Sequence, residues 1–116
     1  MNKNIKIYIC IIFLGSILII LNNLPKKNII YGGEEETRQV LKNLIAVVEA
    51  AGGDNSNVIR TTIYLTDLND FAKVNHIYAE TFNNKVCPAR ACVEVSNLPK
   101  GGKIEIDCIA WLGKIK

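Results

Sequence analysis

The sequence predicts an α+β domain in which a mixed β-sheet packs two helices on one face. Two stretches repeat apolar residues at helical spacing, and several shorter stretches are rich in β-branched residues or alternate apolar with polar side chains. The expected order is strand or strands, helix, strand, helix, strand, strand. Because no linker, repeat or low-complexity tract interrupts this order, residues 1–116 are expected to form one domain.

The apolar N-terminal run Ile7–Leu21, which follows Lys3 and Lys6, leaves two alternatives open. It is shorter than a membrane span of about 20 residues, so a membrane anchor is not expected, but its length suits a targeting segment. Its many isoleucines also suit buried strands, and Gly15 and Ser16 could separate two of them. Sheet strands are the favoured interpretation.

The stretch "GGEEETRQVLKNLIAVVEAAGGD" predicts the first helix. Glu34, Glu35 and Glu36 lie in its first turn, where the helix dipole favours anions. Gly52 and Gly53 are typical of a helix C-terminus. The apolar stripe of this helix consists of Val40, Leu41, Leu44, Ile45, Val48 and Ala51.

The β-branched stretch Val58–Leu65 predicts a strand, and a second helix follows at about Asp70–Phe82. Asp67 or Asn69 could cap that helix. Its apolar face consists of Phe71, Val74, Ile77, Tyr78 and Phe82.

The last two predicted strands are Arg90–Ser96 and Lys103–Leu112, with a turn at "NLPKGG" between them. In "CPARACVEV", alanine and valine alternate with Arg90, Cys92 and Glu94, so a charged side chain begins one face of the strand. The strand sequences "VIRTTIYL" and "IEIDCIAWL" are apolar on much of both faces, which favours burial of the second face in an oligomer.

Composition limits the classes of function. Hydrophobic residues make up 49% and charged residues 22% of the chain, which supports a packed core. The net charge of +3 is scattered rather than clustered, so RNA is not an expected partner. Four cysteines without CxxC spacing and one histidine predict no metal site, and they favour a reducing, cytoplasmic location.

Three stretches resemble one family of proteins: "ETRQVLKNLIAVVEAAG", "VIRTTIYLTDLNDFAKVNHIYAETF" and "CPARACVEVSNLPKGGKIEIDCIA". These are similar to the reactive intermediate imine deaminases, also called liver perchloric-acid-soluble endoribonucleases or translation inhibitors. The match runs from about Gly32 to Ala110. The resemblance implies a fold similar to Bacillus-type chorismate mutase, and a homotrimer with active sites in the clefts between subunits.

The resemblance also implies a chemistry. The family hydrolyses short 2-imino acids, tautomers of 2-aminoacrylate and 2-aminocrotonate, to 2-keto acids and ammonia without a metal or cofactor. The arginine that matches Arg90 pairs with the substrate carboxylate, a role that suits a planar guanidinium. The glutamate that matches Glu105 orients or activates the attacking water.

Further residues are assigned by the same match. Cys92 lines the pocket beside Arg90, and Asn75 has a positioning or subunit-contact role. Gly15 and Ser16 occupy the place of a family Ser-Gly pair that could offer a hydroxyl or a backbone N–H to the substrate.

Structural interpretations of the same residues stay open. Arg90 could form an ion pair with Glu94 or another acid, and Glu105 could be a solvated edge carboxylate. Two other functions also stay open: an endoribonuclease or translation inhibitor using the lone His76, and a non-catalytic trimer that binds small carboxylates. The latter is an alternative because an earlier Pro-Tyr segment of the family has no match in this sequence.

Overall fold

A computed structural model of the chain describes residues 7–12 and 33–113. The strands are β1 (Ile7–Ile12), β2 (Val58–Leu65), β3 (Ala89–Glu94) and β4 (Ile104–Trp111), and the helices are α1 (Gly33–Ala50) and α2 (Phe71–Thr81). This order confirms the expected one over the described part of the chain.

The strands form one mixed sheet in the order β1-β4-β2-β3. β4 pairs antiparallel with both β1 and β2, whereas β2 and β3 are parallel and are joined by the crossover helix α2. β3 therefore lies at an edge of the described sheet. The predicted α+β class with a mixed sheet is confirmed.

Both helices contribute to one core on the same face of the sheet. Alternate residues of β4 are buried, as the period of two requires, while the residues between them are only partly covered. The buried apolar side chains of the helices and strands form one cluster: Val40, Leu41, Leu44, Val48, Val58, Ile63, Leu65, Val74, Ile77, Tyr78, Phe82, Ile104, Ile106, Cys108 and Ala110. We refer to the opposite face of β2, β3 and β4 as the open face.

Helix α1 ends where the glycine pair predicts. Gly52 has φ +96°, and its N–H donates to the Glu49 carbonyl at 2.9 Å. The Gly53 N–H donates to the Val48 carbonyl at 3.0 Å. These two bonds form a Schellman motif, which satisfies two carbonyls that the helix leaves without a partner.

Several element boundaries differ from the expectation by one or two residues, and the structure explains two of them. Asp67 caps a short 3-10 turn (Leu68–Asp70) by accepting from the Asn69 N–H at 2.9 Å, and α2 begins after that turn at Phe71. Neither Asp67 nor Asn69 therefore caps α2. Strand β3 ends at Glu94 rather than Ser96, because its partner β2 ends at the residue paired with it.

The N-terminal run is described only in part. Ile7–Ile12 is a strand, β1, paired antiparallel with β4 from Ile7 opposite Trp111 to Ile12 opposite Ile106. This confirms the strand interpretation for that segment. Gly15 and Ser16 lie outside the described residues. In the described part of the chain, no helix combines the length and the apolar character that a membrane crossing needs.

Candidate functional site

Arg90 lies on the edge strand with its side chain on the helix side of the sheet. It pairs in parallel register with Thr61 of β2, which is fully buried beneath the helices. Because paired residues of adjacent strands share a face, Arg90 extends toward α2. Its position at the edge leaves it exposed to solvent on one side.

Three residues of α2 surround the Arg90 guanidinium. Nη1 donates to Oδ1 of Asn75 at 2.6 Å. The Cζ atom lies 4.9 Å from the centroid of the Tyr78 ring and 5.7 Å from that of Phe71. Phe71, Asn75 and Tyr78 follow a helical i, i+4, i+7 spacing, so one stripe of α2 supplies all three contacts.

Tyr78 is itself fixed at its far end. Its hydroxyl lies 2.7 Å from Oγ1 of Thr61, and both side chains are buried. Burial raises the pKa of the Tyr78 phenol, although the Thr61 hydrogen bond and the positive charge of Arg90 oppose that rise. The ring therefore stays a neutral phenol whose electron-rich face is available to a cation.

Among residues 33–113, none of the carboxylates forms an ion pair with Arg90. Glu94, the acid expected as its alternative partner, instead accepts from the backbone N–H of Leu68 at 3.0 Å. The structural ion-pair interpretation of Arg90 is wrong for Glu94. Within the described chain, the guanidinium contacts only neutral groups, two ring faces and one amide oxygen. Its positive charge can therefore still bind a carboxylate.

Cys92 lies two residues beyond Arg90 on the same face, in register with the buried Ile63. It is partly buried against the core cluster. Burial raises the pKa of its thiol, although nearby Arg90 lowers it in part. A neutral thiol is a poor nucleophile, so this environment suits a wall residue rather than a covalent catalyst.

Glu105 lies on β4 opposite Tyr64, on the open face of the sheet. It is only partly exposed, and burial together with the neighbouring negative charge of Asp107 raises the pKa of its carboxyl. Asp107 accepts from the Tyr64 hydroxyl at 2.8 Å. A carboxylate with a raised pKa is a better proton acceptor near neutral pH than an ordinary one.

The structure does not bring all the predicted site residues together. Arg90, Asn75 and Cys92 share the helix side of β3, but Glu105 lies on the other face with β2 intervening. Strand spacing alone separates their backbones by about 10 Å. Within one chain, Arg90 and Glu105 therefore extend toward opposite sides of the sheet.

The remaining candidate, His76, points away from this cluster. Its side chain is 77% exposed, and Nε2 lies 3.6 Å from Oε1 of Glu80 on the same helix. No group of three potential metal ligands occurs in the part of the chain that the structure describes. His76 therefore has the position of a surface residue.

The sequence did not indicate that Tyr78, Phe71 and Thr61 contact or support Arg90. The signal that could have indicated it is the i, i+4, i+7 spacing of Phe71, Asn75 and Tyr78, with a polar residue inside an apolar stripe. The pairing of the stripe with Arg90 depends on the β2–β3 register, which periodicity does not give.

Comparison with known proteins shows that this chain is similar to one family. The endoribonuclease L-PSP family matches residues 23–112. A RutC family protein from Synechocystis is 52% identical over 79 residues, covering 68% of this chain and 61% of that protein. The rat 2-iminobutanoate/2-iminopropanoate deaminase is 50% identical over 82 residues, covering 71% of this chain and 59% of the rat protein. The chain thus spans less than two thirds of the length of these relatives.

Two crystal structures show the same fold. RidA from an Antarctic Psychrobacter superposes with a TM-score of 0.70 at 39% identity, over 73% of this chain and 68% of that one. The E. coli protein TdcF, determined with bound serine, superposes with a TM-score of 0.71 at 38% identity, over 76% and 71% of the two chains.

Proposed function

Because the chain belongs to the endoribonuclease L-PSP family, we propose that it hydrolyses short 2-imino acids to 2-keto acids and ammonia. The substrates are the imine tautomers of 2-aminoacrylate and 2-aminocrotonate. The proposal is supported by identity of about one half to the rat protein named 2-iminobutanoate/2-iminopropanoate deaminase. The chemistry is modest, since an iminium carbon is already electrophilic and needs a held carboxylate, a placed water and a proton acceptor.

The observation that supports the proposal most strongly is the state of Arg90. Asn75 engages one nitrogen of the guanidinium, the Tyr78 ring lies under its carbon, and no described carboxylate neutralises it. A guanidinium prepared in this way binds a carboxylate in a defined orientation. In this role Arg90 holds the substrate carboxylate so that the adjacent imine carbon has a fixed position.

Glu105 is proposed to come from a second copy of the chain. It and Arg90 face opposite sides of one sheet, so a cleft that contains both needs the edge strand of one subunit against the open face of another. The open face carries apolar side chains that are only partly buried, including Ile109 and Trp111, together with the exposed Val93 of β3. A homotrimer with sites between subunits, as the family resemblance implies, meets this need.

In that cleft Glu105 acts as a general base. Its raised pKa favours removal of a proton from water, which then attacks the imine carbon. The carbinolamine nitrogen takes up the proton that Glu105 removed from water. Its C–N bond then breaks as the hydroxyl gives its proton back to Glu105, which leaves ammonia and the 2-keto acid. Cys92 forms part of the wall beside Arg90.

The experiment is a continuous assay of 2-keto acid release while 2-aminoacrylate is generated enzymatically in situ. Wild-type protein is expected to accelerate release, and Arg90→Ala is expected to abolish the acceleration. Arg38→Ala is the matched control, because Arg38 pairs with Glu80 on the outer surface of the helices. Equal activity of Arg90→Ala and wild type would show that the site assignment is wrong.

The same preparation distinguishes the two alternative functions. A protein that binds 2-keto acids without turnover of imines would be a non-catalytic carboxylate-binding oligomer. Cleavage of single-stranded RNA that survives removal of contaminating nucleases and is lost in His76→Ala would indicate the endoribonuclease function named by the family. The surface position of His76 and the scattered basic charge give no support to that second outcome.

A further inference from the structure

We propose that Tyr78 is a positioning residue for the carboxylate-binding arginine: its ring supports the Arg90 guanidinium, and its hydroxyl fixes the ring to Thr61. This inference rests on the proposed function of Arg90 and adds residues that contact no substrate. Tyr78 would act through Arg90, by restricting the orientations that the guanidinium samples before a ligand arrives.

The need for such support follows from where Arg90 lies. An arginine side chain has several rotatable bonds and loses considerable conformational entropy when it is held in one geometry. Arg90 projects from the edge strand of the described sheet and is exposed, so no described strand confines it on its outer side. Within the described chain, the contacts that hold its guanidinium come from α2.

Those contacts converge on the guanidinium from two directions. The Tyr78 ring lies 4.9 Å from Cζ, which is within cation–π range, and Asn75 accepts from Nη1 at 2.6 Å. The ring fixes the position of the guanidinium carbon, and the amide oxygen fixes its rotation. The other nitrogens of the guanidinium then have a defined direction in which to meet a carboxylate.

The hydroxyl of Tyr78 completes a closed set of contacts. It bonds Thr61 at 2.7 Å, and Thr61 is the residue of β2 in register with Arg90 itself. Strand register, ring contact and hydroxyl hydrogen bond thus connect Arg90, Tyr78 and Thr61 to one another in a closed set. Since Thr61 is fully buried and Tyr78 nearly so, this set of contacts is anchored in the rigid core rather than at the surface.

Support of this kind has a definite kinetic signature. The carboxylate is bound in the ground state and in the transition state, so weaker positioning of Arg90 reduces both interactions together. Such a change raises KM and leaves kcat nearly unaltered. General loss of folded protein would instead lower the apparent kcat.

The test compares Tyr78→Leu, Tyr78→Phe and Phe82→Leu. The first removes the ring, and the second keeps the ring without its hydroxyl. The third removes a buried aromatic ring that contacts Tyr78 at 4.7 Å but is not among the rings lying over Arg90. The dissociation constant for 2-oxobutanoate, KM, kcat and the chemical shift of the Arg90 side-chain Nε–H are measured for each protein.

Tyr78→Leu is expected to raise both the dissociation constant and KM roughly 3- to 30-fold, the range of a cation–π contact, with little change in kcat. The Arg90 resonance should lose the ring-current shift that a neighbouring aromatic face produces. Tyr78→Phe should keep that shift and most of the affinity, and Phe82→Leu should resemble wild type in both. If Tyr78→Leu does not fold, Tyr78→Met, whose flexible thioether adapts better to an irregular space, takes its place.

Two failures are distinguishable. Unchanged affinity and unchanged Arg90 shift in the ring-free variant would overturn the role of Tyr78 while leaving the proposed function intact. A wild-type protein that neither binds 2-oxobutanoate nor hydrolyses imines would overturn the proposed function, and with it the role assigned to Tyr78, even if the ring-current shift confirmed the contact.

Discussion

The side chains of Arg90 and Glu105 leave opposite faces of the sheet, from strands separated by β2. Each residue has an environment suited to one part of imine hydrolysis, a guanidinium without a carboxylate partner in the described chain and a carboxyl whose pKa is raised. The separation is the reason that the proposed site draws Arg90 from one copy of the chain and Glu105 from another.

Mixing two inactive variants tests this assembly. Arg90→Ala and Glu105→Gln are each expected to be inactive as pure oligomers. After dissociation and random reassembly in equal amounts, about one interface in four should combine an intact Arg90 with an intact Glu105. Activity should therefore return to roughly that fraction of wild type in the imine assay. No recovery, with mixed oligomers demonstrated by mass spectrometry, would place both residues in a site within one chain.

Replacing the amide of Asn75 with a carboxylate should weaken substrate binding. Asn75→Asp keeps the shape but gives Arg90 an ion-pair partner that competes with the substrate carboxylate. KM is expected to rise roughly tenfold or more, because charge-assisted hydrogen bonds of this kind are worth about 1.5–3 kcal/mol. Asn75→Ala should raise KM less, since it loosens Arg90 without neutralising it.

His76→Ala is the matched control for these substitutions. His76 is adjacent on the same helix, and its side chain is largely exposed. Its kinetic constants should equal those of wild type. An Asn75→Asp protein with wild-type KM would contradict the carboxylate-binding role of Arg90.

The acid limb of the pH–rate profile should depend on Asp107. Glu105 must be ionised to accept a proton, so kcat/KM falls as pH drops through its pKa. Burial and the negative charge of Asp107 both raise that pKa. Asp107→Asn removes the second cause, so the pKa falls and the acid limb moves to lower pH.

Tyr64→Phe provides the comparison for this shift. It removes the 2.8 Å hydrogen bond to Asp107 and leaves the Asp107 carboxyl group in place. The acid limb of Tyr64→Phe should lie at a higher pH than the acid limb of Asp107→Asn. Profiles that coincide for wild type and Asp107→Asn would mean that Glu105 is not the group that titrates.

The Tyr78–Thr61 hydrogen bond should be a measurable part of stability. Removing one partner leaves a buried hydroxyl unsatisfied, so Tyr78→Phe and Thr61→Val are each expected to lower the free energy of unfolding by about 1–3 kcal/mol. The double variant should cost less than the sum, which urea unfolding of all four proteins measures. Additive losses would show that the two hydroxyls do not depend on each other.

The elements of the fold were predictable because their signals are local. The Gly52–Gly53 pair marks the end of α1, and the β-branched run Val58–Leu65 is β2 to the residue. The start of α2 was harder to predict, because Asp67 can equally well cap the short 3-10 turn that precedes it. Local sequence does not distinguish these two uses of one aspartate.

The site was predictable in its residue types but not in its arrangement. Arg90 and Asn75 were identified from the family resemblance, and the structure places them in contact at 2.6 Å. The ring of Tyr78 under Arg90 and the placement of Glu105 on the other face depend on strand register and helix packing. Those relationships join residues far apart in sequence, and neither periodicity nor composition encodes them.

A crystal structure of the protein with 2-oxobutanoate, the product expected from the imine tautomer of 2-aminocrotonate, tests the proposed site directly. We expect the ligand carboxylate to be bound by the guanidinium of Arg90, with the guanidinium still bonded to Asn75. The carboxyl of Glu105 from a neighbouring copy should lie within hydrogen-bonding reach of the ligand carbonyl or of a water beside it. A ligand bound away from Arg90, or bound there with no Glu105 near it, would contradict the account.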